Sequence, residues 1–198
     1  MLKKIQIFLK QYLDQKKQNY FSSNHNKYVR DDRVKNTYKT PIVIGINGTY
    51  FRFYLKGKKN ITKTCAIISY GWAKKNIISC SFQPTENFAN VLKVIKKINN
   101  YAKNENKKII IQIDRGTAFA NKSIYDYVDS SKNIFHSMSN SGFKHNSPTE
   151  SLNGWIKQKF FKSFGRIFRD MKHFYNCFQK FVKNWNWIKE INYNLERK

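Results

Sequence analysis

The run Ile109-Ile110-Ile111-Gln112-Ile113, followed by Asp114-Arg115-Gly116, constrains the fold of this chain more than any other stretch. An apolar run of β-branched residues predicts a buried strand. The carboxylate that follows places an acid at the end of that strand, where open sheets carry functional groups. A second acid, Glu150, begins a basic stretch that is predicted to be helical. A strand-end Asp and a helix-start Glu in this order predict shared metal ligands.

The charge of the chain indicates its class of partner. Lys and Arg number 38 against 12 Asp and Glu, which gives a net charge of +26. This excess is typical of a protein that binds a polyanion, and nucleic acid is the first candidate. With 40% hydrophobic residues in 198, the chain can bury one sizeable core and is not a disordered polymer. Its three widely spaced cysteines, without a C-x-x-C pair, indicate neither a disulfide framework nor a zinc site.

The N-terminal residues do not form a signal peptide pattern. Their apolar run is interrupted by Gln6 and Lys10, and no small-residue cleavage site follows. No stretch approaches the length of apolar residues that crosses a bilayer. We therefore expect a cytoplasmic protein without a membrane partner.

The order of elements predicts a mixed α/β core, β β β α β α β α. Its first three strands form an antiparallel meander, with a turn at Lys56-Gly57. We expect three regions: a basic helix and linker over 1–40, the core over 41–165 and a basic aromatic helix over 166–198. The predicted core elements are strands at Ile42–Tyr54, Ile61–Ser69 and Asn76–Phe82, a helix at 85–104, a strand at Ile109–Ile113, a helix at Asn121–Val128, a strand at Ile134–Met138 and a helix from Pro148.

A set of motifs within 109–157 gives this order a family resemblance. The chain resembles the second half of the catalytic core of insertion-sequence-three-group transposases, which are relatives of retroviral integrases. A weaker similarity extends over residues 42–198. The resemblance implies a ribonuclease-H-like core of the integrase type. The residues that carry it are Asp114-Arg115-Gly116, Phe119, His136-Ser137-Met138-Ser139, Gly142, Asn146, Pro148, Glu150-Ser151 and Lys157.

The resemblance also implies a reaction and a metal site. In the family, three carboxylates hold two Mg²⁺ or Mn²⁺ ions for phosphodiester cleavage and strand transfer in DNA transposition. Asp114 matches the second acid and Glu150 the third, whereas the first acid falls on Asn47. An amide oxygen can ligate a cation but carries no charge. The resemblance therefore implies a transposase whose two-metal site is weakened by Asn47.

The partners implied by the resemblance are the DNA of the element ends and of the target. Lys157, Lys159, Lys162, Arg166 and Arg169 form the basic stretch that is expected to contact phosphates. The resemblance further implies a homo-oligomer on DNA, nucleoid-associated and encoded by a bacterium or a phage. Because no convincing helix-turn-helix precedes the core, we expect a companion protein to supply one, and we expect a chain truncated at both ends relative to the family.

Several alternatives stay open at this point. Ser147-Pro148-Thr149-Glu150 is also a capping box, and Asn47-Gly48 is also the pattern of a type I′ hairpin turn. His136 and His145 lack ligand-spaced partners, so they favour hydrogen-bonding roles over metal binding. Two other functions also fit the chain: a catalytically inactive DNA-binding protein derived from a transposase, and a charge-driven nucleic-acid packaging protein.

Overall fold

The computed structural model describes residues 42–113, 116–138 and 147–195. The predicted order β β β α β α β α is confirmed, and a further strand and helix follow it. The elements are β1 (Ile42–Leu55), β2 (Ile61–Gly71), β3 (Asn76–Gln83), α1 (Phe88–Asn104), β4 (Ile109–Ile113), α2 (Lys122–Asp129), β5 (Ile134–Met138), α3 (Ser147–Phe164), β6 (Ile167–Phe168) and α4 (Met171–Leu195).

These strands form one mixed sheet in the order β3-β2-β1-β4-β5. β2 runs antiparallel to both β1 and β3, as the predicted meander requires. β4 pairs in parallel with β1 and with β5, and the helices α1 and α2 make the crossovers that parallel strands need. The short β6 pairs in parallel with the far end of β1, at Tyr54 and Leu55.

Alternating residues of β1 divide the core into two parts, because successive side chains of a strand point to opposite faces. Ile44 and Ile46 face α1 and α2 and form, with the Val and Ile residues of α1 and β4, what we call the aliphatic core. Phe51 and Phe53 face α3 and α4 and form the aromatic core with the buried phenylalanines of those helices. The aromatic residues of the C-terminal stretch are therefore largely packing residues.

The C-terminal stretch does not form one helix over 166–198 as predicted. α3 ends before Gly165, which has a φ of 72° and so breaks the helix with a left-handed conformation. β6 follows, and α4 begins only at Met171. Asp170 caps α4 by accepting from the His173 backbone N–H at 2.7 Å, and this bond lowers the pKa of its carboxyl.

Helix α4 also covers the edge of the sheet. The Asn186 side-chain amide accepts from the Ile77 N–H and donates to the Ile77 carbonyl, both at 2.8 Å, and Trp185 Nε1 donates to the Lys75 carbonyl. These contacts satisfy backbone groups of the edge strand β3 that would otherwise be available to another chain. No helix within the described ranges is long and apolar enough to cross a membrane.

Candidate functional site

Asn47 lies in the middle of β1 rather than in a turn. Asn47 and Gly48 pair with Ile68 and Ile67 of β2, and the antiparallel register continues without interruption to Tyr54. The type I′ turn interpretation of Asn47-Gly48 is therefore wrong. The hairpin turn occurs instead around Gly57, which has a φ of 79°.

The side chain of Asn47 shares one face of the sheet with the polar end of β4. Ile46 belongs to the aliphatic core, so its neighbours Gly45 and Asn47 face the α3 side. Gln112 of β4 lies opposite Gly45 in the parallel register, and Ser137 of β5 donates to Gln112 Oε1 at 2.8 Å. β4 ends at Ile113, immediately before Asp114, which lies outside the described residues.

The first turn of α3 sits directly on this part of β1. Thr149 is fully buried, and Trp72 Nε1 donates to Thr149 Oγ1 at 3.2 Å. A Cβ atom on Gly45 would lie 2.1 Å from Thr149 Oγ1 and 2.4 Å from Trp72 Nε1, far inside van der Waals contact. Glycine at position 45 is thus what allows the helix and the strand to approach so closely. We call the contact of Gly45, Trp72 and Thr149 the glycine seat.

A second polar contact fixes α3 one turn further on. The Tyr70 hydroxyl donates to Asn153 Oδ1 at 2.5 Å, and Tyr70 is the residue of β2 that pairs with Gly45. Burial raises the pKa of the Tyr70 phenol well above its ordinary value, so this hydroxyl keeps its proton. Below Asn153 the same helix face continues with Ile156 and Phe160, both in the aromatic core. These contacts therefore fix the rotation of α3 about its axis and its position on the sheet.

Glu150 is therefore an exposed carboxylate in the first turn of α3, and it directly follows Thr149 of the glycine seat. Its charge is favourable at the positive end of the helix, and Lys162 in the last turn is favourable at the other end. Asn47 is two residues along β1 from Gly45, on the same face. The structure thus brings Asn47 and Glu150 to the same part of the sheet from residues about 100 positions apart.

The donor set around this point consists of oxygen atoms. No group of three or more His, Cys, Asp and Glu residues that could hold a metal lies within residues 42–113, 116–138 and 147–195. Asn47 and Glu150 offer an amide and a carboxylate oxygen, and Asp114 would add a second carboxylate. Oxygen donors of this kind fit a hard cation such as Mg²⁺.

His136 does not belong to this group. It lies in β5 opposite Ile111, on the face of the sheet that packs against α2, and it is buried with its ring 5.0 Å from that of Tyr125. This is the face opposite to Asn47 and Thr149. His136 is thus a packed residue of the predicted strand, and His145 lies outside the described residues.

The predicted DNA-contacting residues lie along the outer side of α3 and just beyond it. Lys159 and Lys162 are exposed, and Lys157 is half-buried. No atom lies within 4 Å of a Cβ built on Gly154, so this side of the helix is open. Arg166 lies over the Phe161 ring at 4.6 Å, and Arg169 bonds the neighbouring Asp170 at 3.3 Å. The five cations therefore occupy one exposed stretch, although the two arginines already have partners.

The residues that position the site were not found from the sequence. Two hydrogen bonds, from Trp72 to Thr149 and from Tyr70 to Asn153, fix the position of α3 and therefore of Glu150. One signal was present: Gly45 interrupts a strand of β-branched residues, and an isolated glycine in a strand indicates a close approach of another element.

Comparisons with known proteins bear on the fold alone. The sequence matches no protein-family model and no curated protein. Among solved structures, the chain is similar to a simian T-cell lymphotropic virus intasome in complex with PP2A regulatory subunit B56 gamma, at 17% identity and a TM-score of 0.51. That match covers 62% of this chain and 40% of the other, so the chain spans less than half of that relative.

Two further similar structures are integrase catalytic core domains. The HTLV-2 domain in complex with magnesium, in its trimeric form, has 20% identity, a TM-score of 0.48 and coverage of 71% and 81% of the two chains. The BIV domain has 12% identity, a TM-score of 0.46 and coverage of 62% and 71%. The predicted fold class, a mixed α/β ribonuclease-H-like core, is confirmed. The resemblance to the insertion-sequence-three group stays a prediction.

Proposed function

We propose that this chain is the catalytic-core protein of a DNA transposase, and that it binds DNA and performs metal-dependent phosphodiester cleavage and strand transfer weakly because Asn47 replaces an acid. The observation that carries the proposal is the glycine seat. Thr149 packs on Gly45, two residues along β1 from Asn47, and Glu150 follows Thr149 in the first turn of α3. This contact supports a shared role of Asn47 and Glu150, and the proposal adds Asp114, which follows the end of β4 in the sequence.

Asn47, Asp114 and Glu150 would hold the metal. When bound, Mg²⁺ or Mn²⁺ supplies activation of a water or a DNA 3′-hydroxyl and stabilisation of the leaving oxygen. The contribution of this chain is to hold oxygen donors on a rigid strand and a seated helix, so that little reorganisation is needed. With Asn47 in place of an acid, two carboxylates face the charge of two divalent ions, which weakens the pair.

Phosphate contact is assigned to the outer side of α3. Lys157 lies about two helical turns after Glu150 on the same flank of α3, so a DNA backbone that reaches the proposed metal site would run beside it. Lys159 and Lys162 lie further around the exposed surface of the helix. Oligomerisation on DNA, with a companion protein that supplies a helix-turn-helix, belongs to the same proposal. The exposed Gly154 leaves room for the backbone to approach the helix closely.

Nicking of plasmid DNA in Mn²⁺ tests the proposal. We expect slow or no nicking by the wild-type chain, a clear gain with Asn47→Asp, and loss of that gain when Glu150→Gln or Asp114→Asn is added. Glu105→Gln, an exposed acid after α1, is the matched control and should change nothing. Intact mass must be checked in every sample, because the Asn47-Gly48 pair can deamidate to aspartate. Equal nicking with and without Glu150 would contradict the proposed site.

A second candidate function is a DNA-binding protein without catalysis, and the observation that favours it is Asn47, an uncharged residue of a regular strand where the family resemblance implies an acid. Nicking, measured beside the salt dependence of binding to duplex DNA, distinguishes the two. Both functions predict a steep decrease of affinity with salt, with about 0.9 counterions released per phosphate neutralised. Lys157→Glu with Lys159→Glu should reduce that slope by about two such contacts. Binding without any nicking, even in Asn47→Asp, would favour the second candidate.

A further inference from the structure

The outer half of the β1–β2 hairpin carries a surface that the proposed function does not use. Along β1 the residues alternate between Phe51, Phe53 and Leu55, which face the aromatic core, and Arg52 and Tyr54, which face outward. In the register, Arg52 lies opposite Lys63, and Tyr54 lies between Ile61 of β2 and Ile167 of β6. We call Arg52, Tyr54, Ile61, Lys63 and Ile167 the hairpin platform.

Within the part of the chain that the structure describes, this platform is open over its whole width. Tyr54 is 39% exposed, Ile61 57% and Ile167 67%, although the three form one row across three adjacent strands. The aliphatic core, which covers the same face further along β1, ends at Tyr50, which is half-buried at its margin. A row of three large apolar side chains on an exposed sheet is an unusual surface for residues 42–113, 116–138 and 147–195 to leave uncovered.

The charged side chains that these three strands contribute to the platform all have one sign. Arg52 and Lys63 face each other directly across the two strands, an arrangement of like charges that destabilises a sheet unless an anion compensates it. Lys63 Nζ lies 3.9 Å from the centre of the Tyr50 ring. The strands β1, β2 and β6 contain no Asp or Glu. The platform thus combines one aromatic ring, two isoleucines and two cations, without an acid among them.

We propose that the hairpin platform binds single-stranded DNA. An exposed aromatic ring on a sheet can stack on an unpaired base, while neighbouring cations neutralise the phosphates on either side. Tyr54, flanked by Ile61 and Ile167, would take the base, and Arg52 and Lys63 the backbone. Duplex DNA cannot use the ring, because its bases already stack on one another. Only the choice of DNA over RNA rests on the proposed function.

The platform and the proposed metal site lie on opposite faces of the sheet. Tyr54 and Arg52 are even-numbered positions of β1, whereas Gly45 and Asn47 are odd-numbered and face α3. Single-stranded DNA on the platform would therefore bind on the face of the sheet opposite to the proposed metal site. The two proposals can fail separately, since one depends on Tyr54 and unpaired bases and the other on Glu150 and a divalent ion.

Fluorescence anisotropy with labelled oligo-thymidine of about 20 nucleotides and a duplex of equal length tests the platform in the full chain. We expect Tyr54→Leu to weaken binding of the single strand roughly five- to tenfold while changing duplex affinity less than about twofold. Trp187→Leu, which alters a more exposed aromatic on α4, should leave both unchanged. Arg52→Gln should weaken single-strand binding more than Lys103→Gln, an exposed lysine of α1. Equal losses for single strand and duplex with Tyr54→Leu would overturn the proposal.

Photocrosslinking provides a readout that needs no variant. A single strand containing bromodeoxyuridine should crosslink to the tryptic peptide Phe53-Tyr54-Leu55-Lys56, which Arg52 precedes. Crosslinks found only elsewhere would overturn the platform. A polyglutamate peptide that displaces the strand as well at equal charge would show an acidic protein site instead. Tighter binding of oligo-uridine with the same dependence on Tyr54 would overturn the assignment to DNA.

Discussion

The two faces of the sheet are built from different side chains and hold different parts of the molecule. The aliphatic core contains mostly Ile and Val, and all of its buried residues come from the stretch between Ile44 and Ile134. The aromatic core contains mostly aromatic residues and joins the meander to α3 and α4, which come from the last third of the sequence. The aliphatic core therefore packs the crossover helices against one face of the sheet, whereas the aromatic core positions the helix that carries Glu150 on the other face.

Ring geometry shows why the aromatic core suits this role. Phe160 of α3 lies within 6 Å, ring centre to ring centre, of rings from β1, β6 and α4, among them Phe51, Phe168 and Phe178. Phe174 of α4 stacks on Phe53 at 4.2 Å with an interplanar angle of 8°. Large rigid rings bury much area and favour particular orientations, so they fix how a helix lies on a sheet.

Truncating one buried residue in each core is expected to have the largest effect on stability, and it tests whether the two cores have different roles. Phe160→Ala is expected to lower the free energy of unfolding by about 3–5 kcal/mol, and Ile111→Ala by about 2–5 kcal/mol, through lost burial and a residual cavity. Both are fully buried, so the variants are matched. Urea denaturation measures the two losses.

Hydrogen exchange then separates the two variants. Phe160→Ala should expose the amides of α3 and α4 through a partial opening, while those of α1 and β4 stay protected. Ile111→Ala should lower protection throughout the fold. Opening of α3 to the same extent in both variants would show that the aromatic core has no separate role.

The glycine seat offers a smaller and more local test. Gly45→Ala should cost about 1–3 kcal/mol, because its Cβ would clash with Thr149 and Trp72 and force α3 to shift. Gly154→Ala in α3 is the matched control, since a Cβ at position 154 meets no neighbouring element within 4 Å. It should instead stabilise the protein by about 0.5–1 kcal/mol through helix propensity. Denaturation midpoints that fall equally in both variants would contradict the seat.

The smallest expected effect is a loss of stability at alkaline pH. It involves two thiols, one in the aliphatic core and one beside the aromatic core. Burial raises the pKa of Cys65 in the aliphatic core and of Cys80 beside the aromatic core from 9.0 to about 11. The nearby Glu86 charge also raises that of Cys65, and Lys97 partly opposes the shift at Cys80. Because the folded state holds these protons more tightly, the stabilisation is present below pH 9.0 and lost as pH rises through about 11.

Urea midpoints between about pH 8 and pH 10.5 measure this loss. Tyrosines and lysines also titrate there, so the Cys65→Ala, Cys80→Ala double variant is the necessary comparison. It should lose less stability over that pH interval than the wild-type chain does. An equal loss in both would show that the thiols do not contribute.

Much of the fold could be predicted from the sequence, because strand and helix periodicity is local. The alternation along β1 and the apolar run Ile109–Ile113 gave the strand positions to within a few residues. The antiparallel meander followed from the turn at Lys56-Gly57. Local sequence alone left two interpretations of Asn47-Gly48, a strand and a hairpin turn. The pairing of Asn47 with Ile68 decides in favour of the strand.

The positioning contacts could not be predicted, because they join residues far apart in the chain. Trp72 meets Thr149 across 77 positions, and Asn186 meets Ile77 across 109. β6 was missed for the same reason, since two residues have no periodicity and are a strand only through pairing with Tyr54 and Leu55. The hairpin platform depends on that pairing as well.

Manganese binding in a double-mutant cycle tests the central claim most directly, namely that the seated helix brings Glu150 to the site of Asn47. The four chains are wild type, Asn47→Asp, Glu150→Gln and the double variant, with affinity measured by electron paramagnetic resonance of free Mn²⁺. We predict that Asn47→Asp raises the affinity about tenfold, near 1.4 kcal/mol, when Glu150 is present and less than about twofold when it is not. An equal gain in both backgrounds would mean that the two residues do not share a cation and would contradict the account.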